Sequence, residues 1–117
     1  MISTSKLLRD YSKLLIKLVD VKAVTIPSTP VPANSSVNLY DDRGDLIFIY
    51  SPIGWSGDLT LQVDSDVVSY SIPGSQLNYS ILSIITSGRT VITVRNSSTQ
   101  SINTLPITII RFTFRKA

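Results

Sequence analysis

From Val37 onward the chain is a succession of short apolar runs separated by turn residues, the pattern of an antiparallel β-sandwich or barrel. The runs cover 37–40, 46–50, 59–63, 67–72, 90–95 and 106–114. Leu59, Leu61 and Val63 alternate with Thr60 and Gln62, so that strand should bury one face. Leu46-Ile-Phe-Ile-Tyr50 has no polar face and should lie between two layers. Asp64-Ser-Asp66 reads as a hairpin turn, because Asp accepts turn geometry and bonds its own backbone. Residues 75–88 read two ways. Ser75 and Gly88 suit helix caps and Leu77, Ile81, Ile84 and Ile85 make a helical stripe, whereas the β-branched residues favour a strand; the expectation is a helical crossover.

The beginning of the chain has a different period. Leu7, Leu8, Tyr11, Leu14, Leu15, Leu18 and Val19 recur at three- and four-residue steps with Lys6, Arg9, Asp10, Lys13 and Lys17 largely opposite, which predicts an amphipathic helix capped by Thr4 or Ser5. From Val21 the period is two. Pro27, Pro30 and Pro32 then make an extended linker that cannot be helical. The expected organisation is an N-terminal arm and first strand over 1–26, a Pro/Ser-rich linker over 27–36 and a β-sandwich domain over 37–117. The assembly arm is Leu7, Leu8, Tyr11, Leu14, Leu15 and Leu18. Arg9, Asp10, Lys13 and Lys17 interrupt any secretion-signal core, and no apolar stretch approaches a membrane-spanning length.

Composition excludes much chemistry. The 117 residues contain no His, Cys or Glu. That removes the Ser-His-Asp triad, thiol nucleophiles, a histidine base and Cys/His zinc sites. Ser and Thr are plentiful, 18 and 11, and charged residues are 16% against roughly 25% in an ordinary domain. An acid/base pair of aspartates is the enzymatic arrangement left, but every acid of the body falls at or near an expected turn. No enzyme activity, cofactor, metal site or small-molecule substrate is expected. The net charge of +3 is unevenly spread: +3 over 1–26, −5 over 27–88 and +5 over 89–117. Such segregation suits either contact between neighbouring copies or basic ends that meet phosphate; separate solvated loops would produce it too.

Local motifs each carry a functional and a plainer reading. Arg43-Gly44-Asp45 spells an integrin-binding tripeptide, but a tight turn needs the same residues. Asp41, Asp42 and Asp45, with Asp58, Asp64 or Asp66, offer calcium-type oxygen ligands without the spacing of a known calcium loop. Trp55, flanked by Gly54 and Gly57 and followed by Asp58, is a candidate ligand or interface loop, or a plug for its own sandwich. Asn34, Asn78 and Asn96 open glycosylation triplets. Arg111, Arg115 and Lys116 are candidate basic contacts for nucleic acid, joined by the Lys and Arg residues of the arm.

An amphipathic basic arm, a Pro-rich hinge and a Ser/Thr/Ile-rich sandwich free of Cys and His together resemble small structural proteins of phages and archaeal viruses, many of them jelly-roll subunits. The resemblance implies a mainly β, jelly-roll-like antiparallel sandwich acting as a non-enzymatic virion or shell subunit. Its partners would be copies of itself and other shell proteins, with non-specific contact to nucleic acid or a membrane surface through the basic arm. It would be located in an extracellular particle assembled in the host cytoplasm. The run Ser-Gly-Arg-Thr-Val-Ile-Thr-Val-Arg-Asn-Ser-Ser at 87–98 is also similar to a strand of carbohydrate-binding sandwich modules. That likeness implies a sugar- or receptor-binding module using the Trp55 loop.

Overall fold

The computed structural model describes residues 16–77 and 81–116. Within them the chain forms eight strands: β1 (Ile16–Ile26), β2 (Pro30–Val31), β3 (Ser36–Tyr50), β4 (Leu59–Ser65), β5 (Ser69–Pro73), β6 (Ile81–Asn96), β7 (Ile102–Asn103) and β8 (Ile107–Lys116). A single 3-10 turn, Gly74–Leu77, joins β5 to the segment leading into β6. Six strands make one sheet in the order β1-β8-β3-β6-β4-β5, and β2 pairs with β7 as a separate ribbon. Every pairing is antiparallel. The fold is mainly β, as the period-two runs require.

Three expectations are corrected. The arm residues Leu7, Leu8, Tyr11, Leu14 and Leu15 lie outside the described residues, but Leu18 and Val19, expected at the end of the helix, are not helical. Strand begins at Ile16, and Leu18 and Val19 belong to β1. Leu18 pairs with Phe114 of β8 and Val19 is the extra residue of a register shift there, so the sheet ladder outweighs the local three- and four-residue period. The helical crossover at 75–88 is instead the short 3-10 turn followed by β6; Ile81, Ile84 and Ile85, stiff at χ1, take the strand that suits them. Finally, the turn expected at 41–45 is absent. The runs at 37–40 and 46–50 are two ends of the same 15-residue strand.

That strand explains the architecture. β3 and β6 pair along nearly their whole length, but each has other neighbours only over part of it. At one end, residues 46–50 of β3 also pair with β8, which in turn pairs with β1. At the other, residues 90–96 of β6 also pair with β4, which carries β5. The sheet therefore consists of two half-sheets that share a long central ribbon. The first half comprises β1, β8, and the 46–50 and 81–85 stretches; the second comprises β5, β4, and the 36–44 and 90–96 stretches.

Where the halves meet, the register shifts between Gly44 and Leu46. Opposite this shift Ser87 has φ 48° and Gly88 φ 143°, so an irregular step on each strand makes a bulge. Gly88 holds a backbone conformation that side chains rarely adopt. Gly44 is needed for a different reason: a Cβ there would stand 2.6 Å from Cγ of Arg111, whose stem crosses it. Thr86, fully buried, donates its hydroxyl to the Gly44 carbonyl at 2.7 Å and ties the two sides of the bulge together.

The core lies on one face of this sheet. Fifteen buried apolar residues form one cluster drawn from both halves. In the first half the inward rows run Lys22, Arg111, Ile47, Ile84 and then Val24, Ile109, Ile49, Leu82. In the second they run Tyr70, Val63, Ile92, Tyr40 and then Ile72, Leu61, Val94, Val37. The expected linker is part of the same structure. Val31 is fully buried, and Ser28 and Thr29 hydrogen-bond to Thr104 in the connection between β7 and β8.

Asn96 closes the far end. It is fully buried, donates its amide to the carbonyls of Val31 at 3.0 Å and Gln100 at 2.7 Å, and accepts from the Ser98 N–H at 2.9 Å. A buried amide so engaged holds the β2–β7 ribbon against the sheet.

Candidate functional site

The outward faces of the two halves differ in chemistry. On the second half, the rows facing away from the core are Ser71, Gln62, Thr93, Asn38 and Ser69, Asp64, Val91, Asp41. These polar groups bond to one another. The Gln62 amide donates to Asp64 at 3.0 Å and to Ser69 at 2.8 Å, Ser69 donates to Asp64 at 2.7 Å, and Ser71 donates to Gln62. Those donors hold the Asp64 carboxyl below the ordinary carboxylate value. Asp41 is likewise lowered, first by the hydrogen bonds from Arg89, which reach its two oxygens at 3.0 and 2.7 Å.

On the first half, the corresponding rows are mostly apolar, with Thr25 and Thr108 opening the third and Ser83 closing the second. One runs Val21, Phe112, Leu46, Ile85; the next runs Ala23, Ile110, Phe48, Ser83; a third ends in Tyr50 and Ile81. Phe48 and Phe112 pack with centroids 4.9 Å apart, and Phe114 continues the line beside Leu18. None of these side chains is buried. Ile85 and Ile81 are about two-thirds exposed, and Leu18 and Val21 nearly half. The face is therefore exposed at its rim and half-buried at its aromatic centre. Alternation in β3 and β8 failed to reveal it, because runs apolar on both faces look the same whether the second face is covered or bare.

The sequence-derived candidates are placed as follows. Leu18 lies on this face, at its β1 edge. Trp55 is 4% exposed and belongs to the core cluster, so its ring is not held out toward a ligand. Gly74 makes room for it, since a Cβ there would lie 2.8 Å from the Trp55 Cβ and under 3 Å from two backbone oxygens. Asp58 is exposed, and its carbonyl, not its carboxylate, accepts from Ser97.

Arg111 is not free to meet phosphate. It spans three strands, donating to Asp20 of β1 at 2.8 Å and to Asp42 of β3 at 2.6 Å, with its side chain 14% exposed. Arg115 and Lys116 pair through their backbones with Lys17 and Ile16 at the end of β8.

The aspartates weighed as calcium ligands are dispersed. Asp41 takes Arg89, Asp42 takes Arg111, and Asp45 accepts the Phe114 N–H at 2.6 Å. Among the described residues no three acidic side chains converge. The Asp45 contact also removes the integrin-type reading, since its carboxylate is turned onto β8 from within a strand. Of the glycosylation triplets, Asn96 is buried and Asn78 lies outside the described residues, leaving Asn34 exposed in the loop before β3.

One shallow groove of about 190 Å³ lies between β5 and the free edge of β6, lined by Tyr70, Ile72, Gln76, Leu82, Ser83 and Ile84. Compared with family models, curated proteins and solved structures, the chain matches none.

Proposed function

We propose that the protein is a non-enzymatic structural subunit of a virion or similar shell, assembling through its N-terminal arm and the bare face of its first half-sheet. The observation that carries this reading is the apolar outer face beside β1, the strand the arm leads into. A protein that worked alone in water would cover that face or make it polar, as it does on the other half. Partners are copies of itself and other shell proteins, and the setting is an extracellular particle assembled in the host cytoplasm. The basic residues of the arm, with Arg115 and Lys116 at the end of β8, would make non-specific contacts with packaged nucleic acid or a membrane surface.

The same reading takes the two half-sheets as the layers of a jelly-roll-like sandwich. Strands that pass from one layer to the other do so at bulges, and β3 and β6 have theirs between Gly44 and Gly88. Both inner faces share one apolar cluster, which supports that packing.

The alternative, a carbohydrate-binding module, has lost Trp55 as its anchor. What favours it now is Tyr70, half exposed at the groove beside Gln76 and Ser83. Native mass in the source material tests the two. Recovery in a large particle supports the shell subunit, whereas a soluble monomer that gives a signal on a glycan array, lost in Tyr70→Ala, overturns it.

A further inference from the structure

We infer that residues 81–85 of β6 form an interface with the same residues of a second copy of this chain, the two strands pairing edge to edge about a two-fold axis at Ser83. The inference rests on the self-assembly in the reading above and names one interface for it. Along 81–85, β6 pairs with β3 on one side, but β4 reaches its other side only from Thr90 onward. Among the described residues, no backbone hydrogen bond reaches that second side of Ile81–Thr86. An open edge offers alternating N–H and C=O groups at the spacing of a strand, so what fits it is another extended polypeptide.

The other edges of the sheet are guarded. β1 carries Asp20 and Lys22 and an irregular step at Val19. β5 is five residues long and closes on Pro73. The 36–44 stretch of β3, which pairs only with β6, carries Asp41, Asp42 and Arg43 and a register shift between Asn38 and Tyr40. Charges, proline, bulges and shortness are the devices that keep one strand edge from joining another. Ile81-Leu-Ser-Ile-Ile-Thr86 has none of them.

The occupant follows from the same comparison. Laid against 81–85 with the outer faces aligned, β1 of a second copy would set Lys22 of its inner row beside Leu82 and Ile84 and strip water from its charge. The open edge suits itself. A two-fold axis at Ser83 places Ile81 opposite Ile85 on the outer face, Leu82 opposite Ile84 on the inner face, and Ser83 opposite its own copy. Like then meets like, no charge is opposed, and an antiparallel ladder is symmetric about such an axis. The groove lined in part by Tyr70, Ile72, Leu82 and Ile84 runs along this edge, so the join also takes water from Tyr70, half exposed there. One continuous sheet results, β1-β8-β3-β6 running into β6-β3-β8-β1 of the second copy, with their apolar outer rows on the same side.

The test uses the absence of cysteine from the chain. In full-length Ser83→Cys the two thiols stand opposite each other, with Cβ atoms about 5 Å apart, and oxidation should give a disulfide-linked dimer. In full-length Ile85→Cys they are about 14 Å apart, beyond the roughly 7 Å a disulfide can bridge, so that variant should stay unlinked. Ile81→Cys and Ile85→Cys chains with tags of different size, mixed and oxidised, should link to each other. Ser83→Lys opposes like charges across the axis and should weaken self-association at least about fivefold with an unchanged circular dichroism spectrum, since Ser83 is exposed and folding does not depend on it. In the unaltered protein, the amides of 81–86 that point away from β3 should exchange more slowly as its concentration rises into the range where it self-associates. Ile85→Cys that links as fast as Ser83→Cys, exchange in 81–86 that ignores self-association, or self-association unaffected by Ser83→Lys overturns the edge pairing. Particles that form as before in Ser83→Lys leave the shell reading standing and remove only this interface; a disulfide dimer of Ser83→Cys, with the native protein found in no particle, leaves the interface standing and removes the shell reading.

Discussion

The two half-sheets are built from the same strands, β3 and β6, and bury the same kind of core, yet they present opposite surfaces to solvent. In the second half, Gln62, Asp64, Ser69 and Ser71 satisfy one another across β4 and β5, and the outer face is finished. In the first, Leu46, Phe48, Phe112 and Ile85 stand where those polar residues would be. Packing alone cannot explain the difference, since both halves have full inner rows. The polar half is finished toward water, and the apolar half is not. A single ribbon thus faces the core on one side along its whole length and carries an apolar outer face on the other side along half of it.

Removing an inner residue should hurt both halves alike. Ile49→Ala and Leu61→Ala, each fully buried, should each cost about 2–5 kcal/mol in denaturant unfolding. A loss in one half only would mean that the halves unfold separately.

Asn96 makes the second half more dependent on a polar group. Asn96→Ala leaves the carbonyl of fully buried Val31 only the long bond from the Ser101 hydroxyl at 3.3 Å and should cost about 1–3 kcal/mol, with the fastest rise in amide exchange around β2 and β7. Unchanged exchange there would show that the ribbon is held by packing.

The outer faces should respond in the opposite sense from the cores. Ile85→Thr keeps a β-branched strand residue on an exposed site, so stability should change by no more than about 0.5 kcal/mol, while binding of an apolar dye falls. A large destabilisation would mean that the bare face is part of the fold.

The smallest effect is that of pH on the second half. Asp64, lowered by Gln62 and Ser69, contributes stability that is present above its unfolded value and fades as pH falls through its folded one. Carboxyl titration by NMR should give a midpoint below 3.8, moving toward 3.8 in Ser69→Ala. Because the group is nearly fully solvated, the stability change should stay within a few tenths of a kcal/mol, on the order of other surface pairs.

Which parts of this could be read in advance follows from what each residue answers to. Leu59, Leu61 and Val63 answer to one buried face, and their strand is legible by alternation. Ser65 and Val68 close the turn near Asp64-Ser-Asp66 by a backbone bond of 2.9 Å, where local turn chemistry placed it. The segment Asp41-Asp-Arg-Gly-Asp45 answers instead to residues nearly seventy positions away: Gly44 yields to the stem of Arg111, Asp42 pairs with its head, and Asp45 receives Phe114 N–H. No local pattern shows such partners, so a strand bulge looks like a turn. Trp55 is similar, since its burial depends on Gly74 being small. Leu46, Phe48 and Phe112 mark a sheet in the sequence, but only the strand pairing shows that they share its outer face, where they stand half-buried.

The edge position of β1 has a mechanical consequence. Among the sheet strands it pairs only with β8, through ten residue pairs running from Ile16 opposite Lys116 to Ile26 opposite Ile107. A pull on the arm acts along the axis of β1, so it strains those backbone bonds sideways and together instead of opening them one after another from an end. A ladder loaded in shear resists until many bonds yield at once, whereas the same ladder peeled from one side opens under a much weaker force. Subunits linked through this strand would therefore tolerate tension along the arm, such as internal pressure in a closed shell, better than a force that lifts β1 away from β8.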